Sequence, residues 1–161
     1  MEDDGQPHPP KRPRKTALIT AVDILARQEQ SEKKLREKLG RKGYSPEEIQ
    51  TAIDRLIEKH YLNDADACAR QFEFLYQESR SSIRQISIKL MQRGFDSALI
   101  KDCIPVDTFE REKAAALRVL AMKFKPSADR QKMMANLYSK GFDSSAIRAA
   151  VEEFMAEEEQ E

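Results

Sequence analysis

The chain has 161 residues, 40% of them apolar and 35% charged, with a mean hydropathy of −0.71, which fits one domain or a short array of small units. Five Gly, seven Pro and no Trp argue against an all-β protein and its many turns, and two Cys with two His exclude a disulfide framework and a zinc cage. No apolar run approaches the ~20 residues that span a bilayer and no signal-peptide core follows the start, so the expectation is a soluble, cytoplasmic chain away from membranes.

In chain order, residues 1–15 hold four of the seven prolines together with Lys11, Arg12, Arg14 and Lys15 and read as a disordered basic arm. Leu18, Ala21, Val22 and Leu25 form a first amphipathic stripe. A second helix carries Leu35 and Leu39 and stops at Gly43, and a third opens at Ser45, where Ser45 and Glu48 form a capping box with Pro46 at the first helical position. His60 follows Glu58 and Lys59 at the end of that helix and is read as complementing its dipole. Asn63 and Asp64 cap a fourth helix with Ala65, Cys68, Ala69, Phe72, Leu75 and Tyr76 on its inner stripe. A fifth carries Ile86 and Leu90 up to Gly94, and a sixth starts at Asp96 and is stopped by Pro105. Asp107 caps a seventh, with Phe109, Leu117, Leu120, Ala121 and Phe124 inward, and Pro126 ends it. An eighth carries Met133 and Leu137 to Gly141, and a ninth begins at Asp143.

Three of these stretches superimpose without gaps. Gly43, Gly94 and Gly141 are 51 and 47 residues apart, each preceded by a base (Lys42, Arg93, Lys140) and followed by an aromatic (Tyr44, Phe95, Phe142). A Leu stands four before each glycine, and Ile49, Ile100 and Ile147 stand six after. The glycine supplies the left-handed residue that ends one helix, the next Ser or Asp caps the following helix, and the aromatic with the later Ile forms a hydrophobic staple. The reading is all-α: three tandem three-helix units in an elongated, curved array, spanning 16–62, 63–106 and 107–156, with an acidic tail at 157–161.

The 28 basic and 28 acidic residues cancel overall, but residues 16–151 hold 24 bases against 19 acids. A body of that sign suits an anionic partner. Lys42, Arg93 and Lys140 share one register, Lys38 and Lys89 a second, Lys34 and Lys132 a third. If the units stack regularly, these seven line up as a discontinuous basic track that meets a filament or DNA phosphates. The plainer alternative is that the bases before each glycine neutralise helix C-termini. Cys68 and Cys103 read as small buried hydrophobes, and no phosphate loop, metal-ligand spacing or nucleophile–base pair is present. The expectation is therefore a protein with no catalytic site and no cofactor. A helix-turn-helix DNA reader is the rival, with a helical adaptor as a further alternative. Glu47, Glu48, Asp54 and Glu58 in the last helix of the first unit and Glu152 and Glu153 in that of the third would repel phosphates and disfavour sequence-specific recognition.

The run Ser31-Glu-Lys-Lys-Leu-Arg-Glu-Lys-Leu39 with Lys42-Gly43-Tyr44 resembles the opening motif of RecX regulatory proteins, and Leu56–Ala69 and Ile86–Phe95 are similar to that family's junction and second repeat. The resemblance covers about residues 17–155. One departure stands at Ser81-Ser82, where the family usually has a glycine. The resemblance implies a modulator that binds the RecA recombinase filament on DNA and restrains its growth, ATP hydrolysis and strand exchange in DNA repair and recombination; a monomer is expected.

Overall fold

The computed structural model describes residues 14–160, so most of the expected arm, with His8, lies outside the described residues, as does Glu161. Nine α-helices are described: α1 Ala17–Arg27, α2 Glu32–Arg41, α3 Pro46–Glu58, α4 Asp64–Glu78, α5 Ile83–Gln92, α6 Ser97–Cys103, α7 Phe109–Lys123, α8 Arg130–Ser139 and α9 Ser144–Ala156. A 3-10 turn, Glu157–Gln160, continues α9 into the acidic tail. They group in threes around three apolar cores. The chain parts into two compact units between Leu62 and Asn63; the first holds α1–α3, and the second holds α4–α9.

The repeated glycines do what their register predicts. Gly43, Gly94 and Gly141 have φ of 86°, 92° and 86°, and each sits in the same double closure of its helix end. Tyr44 N–H donates to the Leu39 carbonyl and Gly43 N–H to Gly40; Phe95 and Gly94 do the same to Leu90 and Met91, and Phe142 and Gly141 to Leu137 and Tyr138. This is the Schellman arrangement, whose accompanying apolar contact is between the aromatic and the Leu. All three aromatics and all three leucines are buried. The third helix ends the same way without a glycine: His60 takes the left-handed position at φ 62°, with Tyr61 N–H on the Leu56 carbonyl and His60 N–H on Ile57. The geometric role of His60 is thus the turn itself, at some cost in backbone strain.

Capping follows short polar side chains. Ser31, Ser45, Ser82, Asp129 and Asp143 each accept an N–H of the first turn, and Ser45–Glu48 and Ser82–Gln85 are full capping boxes. Asn63, rather than Asp64, is the N-cap of α4. The N-cap residue of α7 is Thr108, while Asp107 accepts the Phe109 N–H at 3.2 Å from one residue further out. Helix α6 is only 7 residues long, against 13 in α3 and α9, because Pro105 drives Ile104 to extended backbone at ψ 121°. Ile104 therefore packs at the edge of its core, unlike Ile53 and Val151.

The first helix of each trio differs most from expectation. Ala17 and Ala21 face the first core with Ile24 beside them, while Val22 is exposed. Ala67, not Ala65 or Ala69, joins Cys68, Phe72 and Leu75 in the second. In α7 the buried face is Ala115, Ala116, Val119 and Leu120, with Phe109 and Ala121 outside. Alanine suits either face of a helix, so stripes built largely of alanine leave the inner face open by about one residue in register. Arg14 and Lys15 also end the expected arm early. The Arg14 guanidinium lies 4.0 Å from the centre of the Tyr44 ring and donates to the Lys42 carbonyl, and the Tyr44 hydroxyl donates to the Lys15 carbonyl at 2.6 Å.

Candidate interaction surface

The seven basic residues chosen by register occupy different surroundings. In α2, Lys34 pairs with Glu37 at 3.3 Å, and Lys38 stands one turn later on the same helix, half-buried. In α5, Lys89 is exposed and Arg93 donates to Gln71 Oε1 at 2.8 Å. Lys132 is exposed in the first turn of α8. Lys42, Arg93 and Lys140 are the C-cap residues of α2, α5 and α8. Their positive charge therefore meets the negative end of each helix, as the plainer reading holds, and leaves Lys42 and Arg93 exposed.

A different set of cations, in the second compact unit, gathers around Lys140. Its carbonyl accepts the Ser82 hydroxyl at 2.6 Å, across 58 residues of sequence. Lys140 lies close to Lys123 and Arg80, and its ammonium is held below the ordinary lysine value by Lys123 first, then by partial burial and Arg80. Arg84 runs along the glycine that follows Lys140: a Cβ on Gly141 would stand 2.9 Å from Arg84 Cδ.

Beneath this turn lies a polar junction between the second and third trios. Arg111 of α7 donates to the carbonyls of Leu75, Tyr76, Ser79 and Ser81 at 2.6–3.3 Å, at the C-terminus of α4 and in the loop beyond it, where helix carbonyls run out of intrahelical donors; Leu75 also accepts the Ser79 N–H and hydroxyl. Its Nη1 also pairs with Glu112 at 2.8 Å. Glu112, 4% exposed, accepts the Ile83 N–H at 3.2 Å. Burial pushes its carboxyl above the ordinary value, and the Arg111 contacts oppose that shift. Ser82 completes the junction: it caps α5 while donating to Lys140, so one serine of the Ser81-Ser82 pair has a defined structural role. The Arg111–Glu112 pair did not stand out in the sequence, because two charges at the start of an amphipathic helix read as solvated surface.

Cys68 and Cys103 also meet. The Cys103 thiol donates to the Leu99 carbonyl at 3.2 Å, and burial chiefly, with Cys103 beside it, pushes the Cys68 thiol up to about 12. A thiol so rarely ionised is a packing residue. Among the described residues no three His, Cys, Asp or Glu side chains gather as a metal-holding group, and no helix is long and apolar enough to cross a membrane.

A profile described as "RecX, first three-helix domain" matches residues 17–56, which span α1, α2 and most of α3. Regulatory protein RecX of Neisseria meningitidis serogroup A is 32% identical over 148 residues, covering 87% of this chain and 92% of the relative. The chain belongs to the RecX family. Regulatory protein RecX of Clostridium botulinum is 35% identical over 144 residues, covering 84% of this chain and 66% of that protein. The crystal structure of RecX from Lactobacillus salivarius shares the fold at a TM-score of 0.75 and 19% identity, over 86% of this chain and 94% of that one. The all-α reading and the family resemblance are both borne out.

Proposed function

We propose that this chain is a non-enzymatic regulator that binds the RecA recombinase filament on DNA, as a monomer in the cytoplasm, and restrains its growth, ATP hydrolysis and strand exchange. The observation that carries this reading is the match to regulatory RecX proteins along nearly the whole of both chains. RecA enters as the partner through the family resemblance, and the excess of bases in residues 16–151 supports a partner that presents negative charge. Exposed carboxylates at Glu47, Glu48, Glu152 and Glu153 weigh against a groove-reading helix in the first or third trio.

Lys34, Lys38, Lys42, Lys89, Arg93, Lys132 and Lys140 act in this reading as electrostatic contacts. Replacing Lys38, Lys89 and Arg93 together by Glu is expected to weaken binding to RecA–DNA filaments about tenfold or more and to flatten its salt dependence. Sedimentation of the filaments with labelled protein measures this across a salt series. Unchanged binding would remove these three positions from the contact surface.

A further inference from the structure

Lys140, Lys123 and Arg80 gather at the turn that ends α8, and the stem of a fourth cation, Arg84, lies against it. Lys140 is fixed there through its carbonyl by Ser82 at 2.6 Å. Arg84, from the first turn of α5, lies against Gly141, whose missing Cβ leaves it room: an added Cβ would be 2.9 Å from Arg84 Cδ and 3.0 Å from its Cβ. Lys123 is the last residue of α7, and Arg80 lies in the loop between α4 and α5. Lys123 and Arg80 both press on the Lys140 ammonium.

None of the four forms an ion pair with a carboxylate among the described residues. The acid three residues beyond Lys140, Asp143, is committed to the Ala146 N–H and the Ser145 hydroxyl. Like charges brought together without a counter-ion raise the energy of the free protein, and a bound anion relieves that repulsion at once. The negative end of α8 offsets only about half a charge.

We infer that Arg80, Arg84, Lys123 and Lys140 form a binding site for the phosphodiester backbone of a nucleic-acid strand. Two guanidiniums offer planar pairs of donors to phosphate oxygens, and two ammoniums add compact point charges beside them. The site is assembled by the docking of the second and third trios, since Ser82 and Arg84 come from one and Lys123, Lys140 and Gly141 from the other. It deepens the filament reading and rests on it for the source of the phosphate, because a filament on DNA carries such a backbone.

The test is fluorescence anisotropy of a labelled single-stranded oligothymidylate with the full chain and no RecA present. Lys123→Gln with Lys140→Gln is expected to reduce affinity about twentyfold at about 0.1 M salt and to lower the magnitude of the log–log salt slope by about 1.4. Lys33→Gln with Lys101→Gln, which removes the same charge from exposed positions elsewhere, is expected to change affinity less than about threefold, and Arg84→Lys to retain most of it. In the unsubstituted chain, the Lys140 ammonium, followed by NMR, should titrate at higher pH once the oligonucleotide is added. Equal losses from the two lysine pairs, no binding by the unsubstituted chain, or a Lys140 titration that the oligonucleotide leaves in place would overturn the site. So would tighter binding of polyglutamate through the same residues, which would mark a protein partner. Because RecA is absent, failure here leaves the RecA reading standing, and failure of that reading leaves this result intact.

Discussion

Arg111→Ala should cost the second compact unit about 3–5 kcal/mol of unfolding free energy, the range for removing one partner of a buried ion pair. The Arg111 side chain is 12% exposed and Glu112's 5%. Removing the guanidinium leaves the buried Glu112 carboxylate with the Ile83 N–H as its remaining donor and the like charge of Asp143 nearby. It also strips a donor from the carbonyls of Tyr76, Ser79 and Ser81, each costly if left unsatisfied, whereas Leu75 keeps the Ser79 N–H and hydroxyl. Arg111→Lys keeps the charge but not the planar fork that reaches four carbonyls, so an intermediate loss is expected. Urea unfolding followed by helical circular dichroism measures both. A loss below about 1 kcal/mol for Arg111→Ala, the range of an exposed pair, would show that the junction is solvated.

The repeated glycines supply the second large effect, and the three are not equivalent. An Ala at any of them is forced into the left-handed region, at about 1–2 kcal/mol. At Gly43 the new Cβ meets only the tip of Arg14, with Nη2 at 3.4 Å, an ordinary contact. At Gly141 it meets Arg84 Cδ at 2.9 Å, Arg84 Cβ at 3.0 Å and Ser82 Oγ at 3.2 Å. Arg84 Cβ is anchored to its backbone and the Ser82 hydroxyl is held by Lys140, so neither withdraws freely. Gly141→Ala is expected to cost about 2–4 kcal/mol, clearly more than Gly43→Ala, through overpacking added to backbone strain. Equal losses in thermal or urea unfolding would mean that Arg84 swings aside without cost.

Helix order and the ends of α2, α5 and α8 were legible in the sequence because they rest on local chemistry: a glycine at a left-handed position, a short polar cap, an apolar pair one turn apart. The family resemblance was legible for the same reason, since its motifs lie on those turns. The Arg111–Glu112 junction was not, because nothing local distinguishes a charged pair that will be buried from one that will be solvated. The gathering of Arg80, Arg84, Lys123 and Lys140 escaped for a related reason: register compares equivalent positions within repeats, whereas these four occupy different positions and meet only when two trios dock. The left-handed His60 escaped too, because a histidine after Glu58-Lys59 carries no local mark of a positive φ, as a glycine does. The register choice did include Lys140, the one of its seven residues that belongs to the cation cluster.

The most direct measurement is DNA-dependent ATP hydrolysis by purified RecA, titrated with this chain at fixed single-stranded DNA. A regulator of the filament should lower the steady rate in a dose-dependent and saturable way, with weaker inhibition as salt rises. A rate that stays flat while the chain remains folded and in excess over RecA would contradict it.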